Sequence, residues 1–222
     1  MVIKLIDIYN NVAGQAWSMF DAEIESEDEF ETSLLSSIQK ALTELWCVYP
    51  YPFRYKTHNI ATQPGVSSYD MPDGNIIKKT IGNVQKYSVK LKNHYLEYLS
   101  DLSEVDYASS IPEYFYIQND KIIFVPVPDD IYNIEIEYLT LCIGKDFEGK
   151  KIFNLKKGSD YIEIPEKYEA LFTNALITKS MVYAIAAISD ENYSGYETQF
   201  AEAYKRLIQY CKGIDTEVWI TW

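Results

Sequence analysis

Apolar and polar positions along this chain change period twice. Over residues 4–20, Leu5, Ile8, Val12, Ala16 and Phe20 recur at helical spacing and predict a first helix, although Gly14 weakens it. A polar, acidic stretch, DAEIESEDEF, follows. Within it Ser26 and Glu29 have the spacing of a capping box. Phe30, Leu34, Leu35, Ile38, Ala41, Leu42 and Leu45 then make one apolar face, with Gln39, Lys40, Thr43 and Glu44 turned away, so a second helix is predicted. Pro50 and Pro52 stop it near residues 46–48.

From residue 53 to 163 the period shortens to two. VSSYDMP and DGNIIKKTIGNVQKYSV alternate apolar and polar residues, with DGN and IGN as turn signals. Residues 95–108 read equally as a short helix or as an edge strand with a loop. The clearest pattern is KIIFVPVPDDIYNIEIEYL, residues 121–139, which predicts two strands joined by a proline-rich turn. In the second strand Tyr132, Ile134, Ile136 and Tyr138 point one way and Asn133, Glu135 and Glu137 the other. Ile122 and Phe124 of its partner pack on the same layer, and Pro126 and Pro128 end the ladder. DFEGKKIFNLKKGSDYIEIP adds a further hairpin-like run, turning at Gly149 and Gly158.

Helical spacing returns at Pro165, a residue suited to a first turn. Tyr168, Leu171, Phe172, Ala175, Leu176, Met181, Val182 and Ile185 cover most of a cylinder and predict a central helix. SDENYSG breaks it. A last helix carries Tyr196, Phe200, Tyr204, Leu207, Ile208 and Cys211 on one stripe, closed by Gly213. The order predicts an α+β protein: an α-helical bundle from the N- and C-terminal segments with an inserted antiparallel β-rich module. The expected divisions are 1–52 and 164–213 for the bundle, 53–163 for the β-rich insert and 214–222 for a C-terminal tail.

Composition narrows the function. At 222 residues, 47% hydrophobic and 15% aromatic with 20 tyrosines, the chain can bury a core and present amphipathic rings at interfaces. A net charge of −13 argues against a protein that grips phosphates broadly. Cys47, Cys142 and Cys211 are far apart and odd in number, so reduced thiols are expected, as in a reducing cytoplasm. MVIKLIDIYN carries charge and lacks the apolar core of a signal peptide. No uncharged run approaches the ~20 residues of a membrane span, so no membrane partner is expected.

Candidate chemistry is sparse. His58 and His94 are distant and outside any metal motif, and nucleotide-binding, nucleophile-elbow and zincin motifs are absent. Acidic clusters at 23–31, 101–106 and 128–130 lack EF-hand spacing and read as solvated or helix-start groups. No catalytic, cofactor-binding or metal-ligating residue is therefore expected. Lysine pairs gather in the β-rich insert, at 78–79, 90–92, 149–151 and 156–157. The tail is the odd feature: Val218, Trp219, Ile220 and Trp222 either fold back on their own bundle or anchor a partner.

The run IPEYFYIQNDKIIFVPVPDDIYNIEIEYL resembles a feature of the head-to-tail adaptor proteins of short-tailed bacteriophages. There a proline and aromatics (Pro112, Tyr114, Phe115) precede a strand (Ile122, Phe124). A P-x-P-D turn (Pro126, Pro128, Asp129) and a Y-x-I-x-I-x-Y strand (Tyr132, Ile134, Ile136, Tyr138) follow. The flanking order is similar too: a helix ending in LWCVYPYPFRY, then the β insert, then two long helices. Composition rich in Ile, Asn, Lys and Tyr suits an AT-rich phage genome of the crAss-like kind. The resemblance implies a virion structural protein, not an enzyme. It would form a homo-oligomeric ring of about twelve copies at the head–tail junction. Its partners would be the portal protein, other tail components and passing genomic DNA, which it lines without specific binding. The resemblance also implies that the C-terminal part reaches the portal, with Val218, Trp219, Ile220 and Trp222 as the contact. Two other readings stay open: a ligand- or carbohydrate-binding β module using the aromatics Tyr114–Tyr116, and a hydrolase using an acidic pair.

Overall fold

The computed structural model describes residues 2–20, 27–100, 109–188 and 194–214. They fall into two compact units. One runs to Phe53 and resumes at Cys142; the other is Arg54–Leu141.

The first unit contains α1 (Leu5–Phe20), α2 (Glu27–Val48), α3 (Glu166–Ile188) and α4 (Ser194–Ile214). The predicted stripes are the buried faces. Leu5, Ile8, Val12 and Ala16 of α1 and Phe30, Leu34, Ile38, Ala41, Leu42 and Leu45 of α2 enter one core. α3 packs against each of the other three helices. That position explains its all-round apolarity: Tyr168, Phe172, Ala175, Leu176 and Met181 are almost completely buried. α3 is also long and apolar enough to span a membrane by length and composition. α4 does not stop at Gly213; it continues to Ile214, and Gly213 is not among the glycines with positive φ. The Ser26 cap, the break at 189–193 and the 218–222 tail lie outside the described residues.

A four-stranded antiparallel sheet closes this unit, in the order Val2–Lys4, Tyr161–Glu163, Gly144–Lys145, Lys151–Ile152. Its first strand lies just ahead of the helix expected over 4–20 and overlaps it only at Lys4. Three residues are too few to show a period, and Ile3 pairs with Ile162 in the buried layer. Gly149, at φ 81°, supplies the positive φ of the 145–151 turn. At and after the end of α2, Trp46, Tyr51 and Phe53 form an aromatic knot on α3. Tyr51 stacks on Phe53 at 5.1 Å, and Trp46, Tyr51 and Phe53 all meet the Phe172 ring edge-on.

The second unit is β-rich. Asn133–Thr140 is a central strand, antiparallel to Tyr55–Ala61 on one side and to Val89–Leu91 and Gly74–Ile76 on the other. Its parity is as predicted: Ile134, Ile136 and Tyr138 are buried and Asn133 is exposed. The expected pairing with Lys121–Val125 is not found. That strand pairs instead with Tyr114–Gln118 and Ser68–Asp70 in a separate sheet. Val125–Pro126 is a cis peptide bond. Val127–Pro128 pairs in parallel with Ser109–Ser110, so the chain leaves the sheet of Lys121–Val125 there. Both strands still feed one layer, because Ile122 and Phe124 share a core with Ile134 and Ile136. The α+β class, with helices flanking a β-rich region, is the class observed.

Candidate assembly surfaces

In the Arg54–Leu141 unit the edge pieces His94–Tyr95 and Glu97–Tyr98 pair into the two different sheets. Beside them opens a cleft of ≈ 630 Å³, lined by Leu96, Pro112 and the rings of Tyr95, Tyr114 and Tyr132, with Glu97 and Glu113 bordering it. The Tyr132 hydroxyl donates to Asp129 Oδ1 at 2.6 Å. That bond, with the Asp129 charge, pushes the phenol up to about 12, so it stays a donor at neutral pH. Of the three aromatics at 114–116, only Tyr114 lines the cleft. Phe115 is completely buried and meets Tyr87 and Tyr98 edge-on.

The polar side of the central strand is an ion-pair ladder. Glu137 accepts from Lys79 at 2.5 Å and from the Ser88 hydroxyl, and Lys90 reaches Glu137 at 3.5 Å and Glu135 at 3.6 Å. Partial burial raises the Glu137 carboxyl. The hydrogen bonds from Lys79 and Ser88, with the charges of Lys79 and Lys90, outweigh it and hold Glu137 below its ordinary value. Much of the lysine-rich 78–92 segment is thus engaged within its own unit.

On the helical unit, α2 and α3 leave a groove of ≈ 690 Å³ lined by Thr32, Ser33, Ser36, Ser37, Ala186 and Ala187. Its rim is locked. Lys40 sits 4.1 Å over the Tyr183 ring, Tyr183 donates to Glu44, and Lys179 pairs with Glu44 at 3.1 Å. Burial raises the Glu44 carboxyl, but Tyr183 and Lys179 together bring it below its usual range.

Among the described residues the two histidines are not brought together. His58 faces Ile136 across a strand pair and His94 lies at an exposed edge. Among the described residues no group of three or more His, Cys, Asp or Glu is placed to hold a metal. In the 128–130 cluster Asp129 accepts from Tyr132 and Asp130 Oδ1 accepts from the Ile131 amide at 2.7 Å, both turn-forming bonds. The 101–106 cluster and the tail residues Val218, Trp219, Ile220 and Trp222 lie outside the described residues.

The family model described as SU10 adaptor protein matches residues 14–217. No curated protein matches the chain. The match spans both units and all of α2, α3 and α4. The chain belongs to the SU10 adaptor protein family, structural proteins of the phage adaptor type.

Proposed function

We propose that this adaptor forms a closed ring of about twelve copies between portal and tail at the head–tail junction, assembled in the host cytoplasm. The observation that carries the reading is the family match over 14–217. The ring lines the DNA exit channel. A net charge of −13 supports this use, because an acidic wall repels phosphates and lets the genome slide. In this reading the unit that holds α1–α4 builds the ring, and the β-rich unit Arg54–Leu141 faces outward or toward the next tail component. The tail 214–222 docks on the portal through Val218, Trp219, Ile220 and Trp222, apolar anchors suited to a hot spot.

The test is to image the purified protein by mass photometry and electron microscopy, with and without its portal. Rings that form on portal are expected, and a chain truncated after Gly213 should lose docking. Solitary chains in the presence of portal overturn the ring, and undiminished docking of the truncated chain overturns the tail assignment. One observation favours a second reading, a ligand-binding β module. The tyrosine-lined cleft at Tyr95, Tyr114 and Tyr132 has the volume of a small-molecule site.

A further inference from the structure

The hairpin at residues 78–87 stands apart from the two larger sheets of its unit. Among the described strands, Lys78–Ile81 and Val84–Tyr87 pair only with each other, in register from Lys78↔Tyr87 to Ile81↔Val84. The root is clamped. The Ile77 amide donates to Glu137 at 3.0 Å, the Ser88 amide donates to Ile77 at 2.7 Å, and the Tyr87 ring meets Phe115 edge-on at the core. At ~3.4 Å per residue, the pairs that follow carry the tip about 10 Å beyond that root. Gly82, at φ 64°, supplies the positive φ of the turn. Ile81 and Val84 oppose each other there, so their side chains share a face. They are 42% and 56% exposed.

Charge is confined to the pairs nearest the root. Lys79 pairs with Glu137 at 2.5 Å, Lys86 with Glu97 at 3.5 Å, and Lys78 lies 4.7 Å over the Tyr87 ring. Residues 80–85, TIGNVQ, carry no charge. An ordered aliphatic knob held away from its own core has the chemistry of a group that a partner's pocket buries.

We propose that Ile81 and Val84 of one copy insert into the tyrosine-lined cleft of a second copy of the chain. The cleft combines buried Leu96 and Pro112 with the half-buried rings of Tyr95, Tyr114 and Tyr132. Ile111, which also lines it, is 51% exposed. Its ≈ 630 Å³ accommodates two aliphatic side chains and the turn between them. No residue of the hairpin lines the cleft of its own copy. Charge favours a second copy as well. Residues 78–87 hold three lysines and no acid on a chain of net charge −13, and the cleft border carries Glu97 and Glu113 against one lysine, Lys92. Knob and cleft on different elements of one chain make a heterologous contact, the kind that closes a ring. The contact rests on the ring reading above and adds a link between the β-rich units of neighbouring copies. A phosphate backbone fits less well, because residues 80–85 offer it no charge and Lys79 and Lys86 are held by acids. A small polar ligand also fits less well, since the Tyr132 hydroxyl is committed to Asp129.

The test is ring assembly on portal, followed by mass photometry. The parent is compared with Ile81→Asp/Val84→Asp at the tip and with Ile111→Asp in the cleft. Each is expected to weaken assembly at least about tenfold, because a carboxylate then enters an apolar contact. Either variant that keeps the parent's circular dichroism and thermal midpoint, and still assembles like the parent, overturns the proposal while leaving the ring intact. A parent that forms no ring on portal removes the ring reading and this contact with it. If a variant fails to fold, photo-cross-linking decides. A benzophenone side chain is placed at position 84, and rings are made from an equimolar mixture of isotopically labelled and unlabelled chains. Links between copies, from position 84 to residues 91–97 or 111–114, are expected. Rings without such links, or with links only to portal, overturn the contact and return the cleft to the ligand reading. Links to added duplex DNA in place of the cleft would assign the hairpin to nucleic acid and overturn the proposal.

Discussion

Replacing Phe172 with alanine tests whether the aromatic knot holds the helical unit together. The side chain is completely buried, with the rings of Trp46, Tyr51 and Phe53 edge-on at 6.2, 5.6 and 5.9 Å. Truncating a buried phenylalanine costs about 3–5 kcal/mol, from lost transfer energy and the cavity left behind. Three edge-on ring contacts, each worth ~0.5–1.5 kcal/mol beyond area, place this site in the upper part of that range. Collapse around the gap is hindered, because Tyr51 is pinned by its stack on Phe53 and Phe53 by Tyr168 at 5.3 Å. We expect a loss of about 4 kcal/mol. At ~2–4 °C per kcal/mol for a chain of this size, the midpoint falls by roughly 8–16 °C. The assay is thermal and urea unfolding followed by helical circular dichroism. Phe147→Ala, at an exposed turn, is the control and should change stability by less than about 0.5 kcal/mol. A loss below about 1 kcal/mol for Phe172→Ala would refute the knot as an organising feature of this unit.

Two further substitutions probe the β elements. Glu137→Gln should lower stability at neutral pH. The folded Glu137 pKa lies below its ordinary value of 4.5, so its contribution is present above that value and lost as pH falls through the folded pKa. The gap between variant and parent in urea midpoint should therefore close on acidification below about 4.5; a gap unchanged at pH 3 contradicts the ion-pair account. Gly144→Ala should cost about 1–3 kcal/mol, because a Cβ there would lie 2.2 Å from the Tyr161 carbonyl oxygen and force the strands apart. A variant as stable as the parent in the same titration would show that the strands do not approach so closely.

The helices were legible because their signal is local and repeated. Phe30 to Leu45 shows several turns of one face, and burial follows that face closely. Parity in Asn133–Thr140 was legible for the same reason, since alternation is written in eight consecutive residues. Partnership was not. Lys121–Val125 and Asn133–Thr140 are adjacent in sequence and joined by a turn-rich segment, which is also the signature of a hairpin. Nothing in the alternation distinguishes strands that hydrogen-bond from strands that face each other across a core. The deciding feature is the path of Val127–Pro128, whose parallel pairing with Ser109–Ser110 takes the chain out of the sheet of Lys121–Val125. Val2–Lys4 was hidden for a simpler reason. Its three residues are too few to show an alternation of their own.

The same distinction governs the candidate surfaces. A catalytic motif announces itself because the turn that presents a nucleophile or a phosphate must be built from neighbouring residues. An assembly surface has no such need. Lys4, Tyr161, Lys145 and Lys151 become one row only through three strand registers, and the first and second of them are 157 positions apart in sequence. Read along the chain, these lysines are isolated solubilising charges, and the 149–151 and 156–157 groups look alike. The sheet separates them. Lys156 and Lys157 give their backbone amides to Asp160 Oδ2 at 2.7 and 2.8 Å and shape a loop, whereas Lys151 joins a transverse row. Which side chains lie next to one another on a face is thus set by strand register. For an adaptor, whose work is contact with other chains, the residues to substitute first are those that pairing brings together.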